Sequence, residues 1–297
     1  MIDSLVHYSG LTAEIYAYPS LSAAEVTLGP IPEFEGELRS HLADKTPTSH
    51  ESEAVSLLNA SQYNYFHMMA QSLPHLCVMD DALPREVPLV LGAHHSGGHS
   101  FVTDALQLLY PHRRFVLLNV GEAITVEELT SIPPLTTNIL LPDGLKLLRT
   151  RILRALDPEI DPVEAVYLRR GDGERDRRRT LNDAEIVEAL RYRWPGIRVI
   201  TPGRLSFREQ IQAVRGAKFV IGAHGAQLTN LLWADQDATV IEIAPRNLNV
   251  ASVFRGLANA TDVTYHCAQS FGSSGHDWAF ADQVVDINSL NAIVRMC

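Results

Sequence analysis

The sequence has few cysteines and no long apolar run. Its three cysteines, Cys77, Cys267 and Cys297, are far apart and form no Cys-x-x-Cys pair, so neither a disulfide framework nor a zinc knuckle is predicted. No stretch approaches the roughly 20 apolar residues of a membrane span, and the first residues lack the basic start and apolar run of a signal peptide. These absences favour a reducing compartment. We expect a cytoplasmic protein, soluble or peripherally attached to a membrane.

Positive charge is also scarce. The formal net charge of −10 opposes binding to a phosphate backbone and gives little attraction to anionic lipid, so we expect no nucleic-acid partner. Arginine is nevertheless dense in the segment YLRRGDGERDRRRTLND, with six arginines against three acids between Arg169 and Arg179. A local anion site is therefore consistent with the sequence.

The common nucleotide-binding signatures are missing. The chain contains no GxGxxG and no GxxxxGK[ST], which disfavours a dehydrogenase or a kinase of those families. With 297 residues, 46% of them hydrophobic and 20% charged, the chain is long enough for two domains of ordinary size or for one large α/β domain.

Strand and helix patterns alternate roughly every 10 residues in the second half, which predicts βαβ units and a parallel sheet covered on both faces. Asn182, with Glu185 three residues on, has the pattern of a capping box. The predicted strands are VEAVYLRR, IRVITP, KFVIGA and ATVIEIAP, and the predicted helices are NDAEIVEALRYRW, SFREQIQAVRGA, AQLTNLLWA and NVASVFRGLANA.

The first half has weaker signals. Short strands are expected before residue 60, and residues 64–83 have the pattern of a helix interrupted at Pro74. Strands are also predicted in VPLVLGA, RRFVLLNV and LTTNILLP, and helices in HSFVTDALQLLYP and DGLKLLRTRILRAL, the last with Leu145, Leu148, Ile152 and Leu156 on one face.

Together these patterns predict an α/β protein of two doubly wound, Rossmann-like domains with a cleft between them. The domains are residues 1–160 and 161–297. Their boundary is placed in DPEIDPVEA, residues 157–165, because the residue before a proline disfavours helix.

The stretch FVIGAHGAQLTNLLWADQDATVIEI, residues 219–243, breaks an apolar strand with His224, Gly225 and Ala226. Ligands of open α/β sheets bind at the carboxyl ends of the strands, where helix N-termini point free amides outward. Gly225 allows a sharp turn and the amides after it are donors, so the turn predicts a phosphate site to which His224 could also donate. A purely structural turn, with His224 as a cap, is the alternative.

Further polar residues are expected at the same edge of the sheet. Thr229 and Asn230 lie one turn further on, and Asn230 is an exposed residue in the structural alternative. Glu242, near the end of the next strand, can accept hydrogen bonds from ribose hydroxyls, or it can simply pair with an arginine. Because guanidinium matches phosphate oxygens bidentately, four arginines are candidates for a diphosphate clamp, and any others would pair with Asp172, Glu174 and Asp176. These four are Arg169, Arg170, Arg178 and Arg179.

Three segments resemble glycosyltransferase family 61. NYFHMMAQSLPHL resembles its first-domain segment with Asn-Tyr-x-His, YLRRGDGERDRRRTLND its Arg-Arg segment, and the stretch 219–243 its His-Gly-Ala-Gly-Leu-Thr-Asn segment that ends in Val-Ile-Glu. The resemblance covers roughly residues 60 to 245. Gln227 replaces the usual glycine, Asp183 the usual glutamate and Trp233 the usual phenylalanine, which leaves the choice of donor open.

The resemblance implies a GT-B fold, with the nucleotide held by the second domain and the acceptor approached from the first. It implies inverting transfer of a hexose or pentose from a nucleotide sugar, commonly a UDP-sugar, without an obligatory metal or other cofactor. A bacterial capsular-polysaccharide type of enzyme is expected, with a glycan or lipid-linked saccharide as acceptor. The expected substrate-binding residues also include Asn64, Asn182 and Gln227.

An inverting displacement needs a base near the acceptor hydroxyl. His67 in the first motif is the first candidate, with a packed helix histidine as the structural alternative. Asp172 is the second candidate, and it could equally be only a partner for arginine.

Two other patterns resemble metal sites. Asp235-Gln-Asp237 spells Asp-x-Asp, but it lies between a helix and a strand at the opposite edge of the sheet and is interpreted as a solvated turn. His95 and His99 in HHSGGHS are four residues apart, yet two glycines between them make a helix doubtful. That loop, which includes His94, is interpreted as lining the acceptor cleft, and no metal site is predicted.

Two alternative functions remain at this point. A nucleotide-sugar epimerase or hydrolase would use the same cleft, and a non-catalytic nucleotide-binding protein would need only the phosphate turn.

Overall fold

The computed structural model describes residues 6–8, 13–17, 24–27, 47–58, 64–93, 101–119, 122–132, 140–157, 159–171, 179–245, 252–272 and 282–297. The chain is a mixed α/β protein that divides into two compact units, Met1–Thr136 and Thr137–Cys297. The helix Pro142–Leu156 belongs to the second unit, whereas the predicted division at residue 160 places it in the first.

In its described residues, the first unit holds a seven-stranded sheet with the order β3-β2-β7-β4-β5-β6, and β1 also pairs with β7. Strands β4 to β7 are mutually parallel. Strands β1 and β2 each pair antiparallel with β7, and β3 pairs antiparallel with β2. Apolar side chains of the parallel strands, such as Val90, Leu118 and Leu129, form a buried core. The strands are β1 Val6–Tyr8, β2 Ala13–Ala17, β3 Ala24–Thr27, β4 Ser49–Ser56, β5 Leu89–Gly92, β6 Phe115–Leu118 and β7 Ala123–Ser131.

The helix predicted between residues 64 and 83 changes its hydrogen-bond pattern along its length. It begins as α1 (Tyr65–His67), widens into a π-helical segment (Met68–Ser72), and continues as α2 (Leu73–Met79) and a short 3₁₀ turn (Asp80–Ala82). Pro74 is the second residue of α2, which directly follows the π-helical segment, and both Ser72 and the adjoining Leu73 keep helical backbone angles. The irregularity therefore falls before the proline. A further helix, α3, spans Phe101–Leu109.

In its described residues, the second unit holds a six-stranded sheet that is parallel except for its last strand. Its elements are α4 Pro142–Leu156, β8 Val163–Leu168, α5 Asp183–Arg193, β9 Arg198–Ile200, α6 Phe207–Val214, β10 Ala217–Ala223, β11 Thr239–Pro245, α7 Ser252–Ala260, β12 Thr264–Gly272, β13 Gln283–Val285 and α8 Ile287–Met296, with 3₁₀ segments at Pro202–Arg204 and Ala226–Trp233.

The strand order β9-β8-β10-β11-β12-β13 is a doubly wound order. The chain moves outward from β8 to β9, then returns past β8 to β10 and continues the other way. The winding direction thus reverses between β8 and β10, which makes their carboxyl ends the topological switch point of the sheet.

Helices cover both faces of this sheet. On one face, Ile186 and Leu190 of α5 and Leu290 of α8 pack against Tyr167 and Ile241 in a common core. On the other, α4, α6 and α7 pack around the 3₁₀ segment Ala226–Trp233. The predicted apolar face of α4 is confirmed, since the four residues that define it are buried, namely Leu145, Leu148, Ile152 and Leu156.

Some predictions are corrected. AQLTNLLWA forms a 3₁₀ helix rather than the predicted α-helix. The Asn230 side-chain amide donates to the carbonyl of Gln227, which an α-helix would pair with the N–H of Leu231. The capping box at Asn182 does not form. Strands β7, β12 and β13 were not predicted, and the predicted strand LTTNILLP lies mostly outside the described residues. No helix in the described part of the chain is long and apolar enough to cross a membrane.

Candidate functional site

The predicted turn lies at the carboxyl end of β10. The backbone N–H of His224 donates to the carbonyl of Ile243 (2.8 Å), which extends the pairing of β10 with β11 by one residue. Gly225 has φ +154°, and the Gln227 side chain folds back to donate to the carbonyl of Ala223 (2.7 Å). Ala226 begins the 3₁₀ segment, whose first amides have no partner within a helix of this kind. The Gln227 side chain therefore helps to hold the shape of the turn.

Arg170 reaches this turn from the end of β8. Its Nη1 donates to the carbonyl of His224 at 2.8 Å, and a Cβ added to Gly225 would lie only 2.2 Å from that nitrogen. The absence of a side chain at Gly225 lets the guanidinium approach the backbone. The prediction that the arginine segment and the histidine turn share one edge of the sheet is confirmed, and they meet at the switch point.

Arg169, unlike Arg170, points away from the His224 turn and towards α5. Its guanidinium pairs with Asp183 at the start of α5 (2.6 Å), and the hydroxyl of Tyr167 donates to the same carboxylate (2.9 Å). Burial, together with the Asp183 charge, raises the pKa of Tyr167 well above its usual range, which keeps that donor protonated. Arg169 also borders a groove of about 500 Å³ on the α5 face, lined by Arg169, Ala184, Val187, Glu188, Arg191 and Val199.

Two other residues of the arginine segment hold the edge strand β13. Arg179 forms a salt bridge with Asp282 (2.6 Å) and its backbone N–H donates to the same carboxylate (2.9 Å). The Asn182 amide donates to the carbonyl of Val285 and accepts from its N–H, at 3.0 and 2.8 Å. Their expected roles in nucleotide binding stay predictions. Arg178 and Asp172 lie outside the described residues.

Glu242 lies beside His224, as predicted, but beneath the surface. Its side chain is fully buried, with Oε1 2.5 Å from Nδ1 of His224 and Oε2 2.5 Å from the hydroxyl of Tyr265. Burial raises the pKa of Tyr265, as does the Glu242 charge, so this hydroxyl stays protonated and donates. A contact between Glu242 and a ribose stays a prediction, and it requires Glu242 to release one of these partners.

Tyr265 and two neighbouring residues were missed by the sequence patterns. The ring of Phe254 packs edge-on against His224 (5.2 Å between centroids), and the exposed guanidinium of Arg255 lies 5.5 Å from the centre of the Tyr265 ring. A prediction of β12 would have placed Tyr265 on the same face as Glu242, because Glu242 pairs in register with Cys267, two residues on. The segment TYHCAQSFG is too polar to show the strand.

Thr229 and Asn230 are both buried. The Asn230 amide donates to the side-chain carbonyl of Gln210 (3.1 Å), which ties the 3₁₀ segment to α6. Thr229 Oγ1 forms no hydrogen bond with any part of the protein that the structure describes. Their predicted contacts with a nucleotide remain untested.

The first unit holds the two predicted residues of the first motif. The side chain of Asn64 caps α1 by accepting from the N–H of Phe66 (2.9 Å). His67 is half-buried, and its Nδ1 lies 2.7 Å from Oε1 of Gln71 in the π-helical segment. π-Helical turns occur frequently at functional sites. Asn64 thus has a local structural role, and His67 has one ring nitrogen engaged by a neighbour.

The Asp-x-Asp pattern lies at the amino edge of the second sheet. Asp235 pairs with Arg215 (2.7 Å) and accepts from the N–H of Gly216 (2.9 Å), while Asp237 is exposed. The predicted opposite edge is confirmed, but Asp235 is a partner of the turn before β10 rather than a solvated residue. Within the described residues no three metal-ligand side chains come together. His94, His95 and His99 lie outside them.

Comparison with known proteins and protein families identifies a family model that matches this chain. No curated protein matches the chain. The family model described as glycosyltransferase 61 matches residues 65–241, which is more than half of the 297 residues. The match begins within the first motif, contains the arginine segment and the histidine turn, and ends in β11, one residue before Glu242. The chain belongs to glycosyltransferase family 61.

Proposed function

We propose that this protein is an inverting glycosyltransferase of polysaccharide biosynthesis, which moves a sugar from a UDP-sugar to a glycan or lipid-linked saccharide. One observation carries the proposal: Arg170 and the His224 turn meet at the switch point of the second sheet. Ligands of doubly wound sheets bind at such points. This one presents a guanidinium, an imidazole and the first amides of a 3₁₀ segment, all of which suit a diphosphate.

In the proposed reaction an acceptor hydroxyl attacks the anomeric carbon of the donor sugar. The bond from that carbon to the phosphate oxygen breaks, and its electron pair leaves with UDP. Charge therefore grows on the diphosphate, where donors that are already fixed in place stabilise it most. Arg170 is fixed by its hydrogen bond to the His224 carbonyl, and Arg255 adds an exposed cation beside Tyr265. These groups take the place of an obligatory metal in the proposal.

The proton of the acceptor hydroxyl goes to a base, for which we propose His67. An amide oxygen accepts a hydrogen bond, so the contact with Gln71 Oε1 places hydrogen on Nδ1 and leaves a lone pair on Nε2, as a base needs. Asp172 is the second candidate for this base.

The proposal also includes a GT-B arrangement of the two units.

Titration calorimetry with UDP tests the donor site. We expect saturable binding that survives a chelator, and binding about tenfold to 100-fold weaker in His224→Ala, the cost of a hydrogen bond to a charged group. His112→Ala, which removes an exposed histidine of the first unit, is the matched control and should bind normally. Absence of UDP binding to the unmodified protein would refute the nucleotide-sugar proposal.

Transfer assays with a panel of UDP-sugars and glycans test the reaction. We expect a product whose anomeric configuration is opposite to that of the donor, and His67→Ala should lose transfer while it retains UDP affinity. Sugar isomerisation or hydrolysis without acceptor would identify an epimerase or hydrolase instead. UDP binding without any turnover would indicate a non-catalytic protein.

A further inference from the structure

Within the described residues, only one of the two ring nitrogens of His224 has a hydrogen-bond partner. Nδ1 lies 2.5 Å from the fully buried carboxylate of Glu242, and the Phe254 ring packs against the imidazole face. An ionised carboxylate only accepts hydrogen bonds, so Nδ1 carries hydrogen. Nε2 has no hydrogen-bond partner among the residues that the structure describes, and 11% of the side chain is exposed. The ring thus offers Nε2 to a ligand.

The Glu242 carboxylate is in turn held by Tyr265. The hydroxyl of Tyr265 donates to Oε2 at 2.5 Å, and Arg255 lies over the ring of the same tyrosine. Without this donor, Oε2 would be a buried charged oxygen with no partner, which is costly and favours the protonated acid. A protonated Glu242 would be a poorer partner for a cationic imidazole. Tyr265 therefore influences His224 without touching it.

We propose that Tyr265 is a positioning residue of the donor site, which keeps Glu242 ionised so that His224 binds a nucleotide diphosphate as an imidazolium. Hydrogen on Nδ1 then binds Glu242, and hydrogen on Nε2, taken from solvent, binds a phosphate oxygen. The inference rests on the proposed function, because it assumes that the switch point holds a diphosphate.

The other charged and titratable groups near His224 are compatible with an imidazolium. Arg170 contacts the backbone carbonyl rather than the ring, and Arg255 stacks on Tyr265. Burial raises the pKa of Cys267, as does the Glu242 charge, so this thiol stays neutral. Among these groups, Glu242 alone adds negative charge, and the incoming diphosphate would add more.

Nuclear magnetic resonance of the ring nitrogens tests the protonation directly. The signals of His224 are assigned by their loss in His224→Ala, and the unmodified protein is observed with and without saturating UDP at pH 7.5. We expect hydrogen on both ring nitrogens in the complex. A neutral ring in the complex would overturn the inference while leaving the proposed function intact. Failure of the unmodified protein to bind UDP would overturn both.

A double-mutant cycle tests the role of Tyr265. Tyr265→Phe should weaken UDP binding about tenfold, and Glu242→Gln at least as much, but Tyr265→Phe should have almost no further effect in the Glu242→Gln background. Tyr192→Phe, at a tyrosine 91% exposed, is the matched control. Equal effects of Tyr265→Phe in both backgrounds would overturn the inference. If Tyr265→Phe does not fold, the nitrogen signals of the unmodified protein still test the inference, because a neutral His224 ring in the complex would overturn it.

Discussion

At the residue scale, Gly225 is the position on which the candidate site depends most closely. Its φ of +154° lies outside the region that side chains favour, and an added Cβ would lie 2.2 Å from Nη1 of Arg170 and 2.7 Å from Oε1 of Gln227. A side chain at this position would therefore push away both groups that shape the turn.

Gly225→Ala should displace Arg170 and weaken UDP binding at least tenfold, with a loss of about 1–3 kcal/mol in the free energy of unfolding from backbone strain. Calorimetry and thermal unfolding measure the two effects. Gly203→Ala is the matched control, because nothing lies within 4 Å of a Cβ added there. Unchanged UDP affinity in Gly225→Ala would show that the ligand does not depend on this turn.

At the element scale, β10 runs from the edge of the second sheet that holds the Asp-x-Asp pattern to the edge that holds the His224 turn. Its carboxyl end leads into His224, and its amino end follows Gly216, whose N–H is bound by Asp235. Asp235 also neutralises Arg215, and the side chain of Arg149 donates to the neighbouring carbonyl of Ala234. Burial lowers the pKa of Arg149, and the Arg215 charge lowers it further, whereas Asp235 raises it. The carboxylate thus relieves repulsion between two arginines.

Asp235→Asn should lower the free energy of unfolding by about 1–3 kcal/mol. The substitution removes the negative charge that compensates the positive charges of the partly buried Arg149 and Arg215. UDP affinity should change little, because the substitution is at the far end of β10. Asp237→Asn, at an exposed position of the same pattern, should have almost no effect on either quantity. A loss of transfer in Asp235→Asn that added metal restores would instead indicate a metal site.

Elements with strong periodicity could be predicted from the sequence, and those shaped by tertiary contacts could not. The apolar strand β10 and the amphipathic α4 follow local rules. In the 3₁₀ segment Ala226–Trp233, the Asn230 side chain binds both the Gln227 carbonyl and Gln210 of a different helix, and the second contact is tertiary. Likewise the turn and its arginine were predicted, but Tyr265 was not, because its role arises from the register between β11 and β12.

At the scale of the whole molecule, each unit contains an apolar core of its own, one that includes Leu129 and one that includes Tyr167 and Ile241. Two such cores favour unfolding in two steps rather than one. A ligand that binds only the folded second unit stabilises that unit, by about 2.7 kcal/mol at a concentration 100 times its Kd.

Scanning calorimetry should therefore show two transitions, of which UDP raises only one. Leu129→Ala, in the core of the first unit, should lower the other transition through a loss of about 2–5 kcal/mol. In the same variant the UDP-sensitive transition should keep its temperature. A single transition that responds to both UDP and Leu129→Ala would show that the units unfold together.

The bond from Arg170 to the His224 turn has a consequence for protein engineering. Arg170 holds the main-chain carbonyl of residue 224, and the N–H of the same residue is paired with Ile243. Neither contact involves the imidazole. These two main-chain contacts fix the path of the loop independently of the imidazole, whereas the imidazole itself is the partner of the buried Glu242. A replacement that can still donate to Glu242, such as His224→Asn or His224→Gln, should therefore change the chemistry of the site while the loop keeps its path.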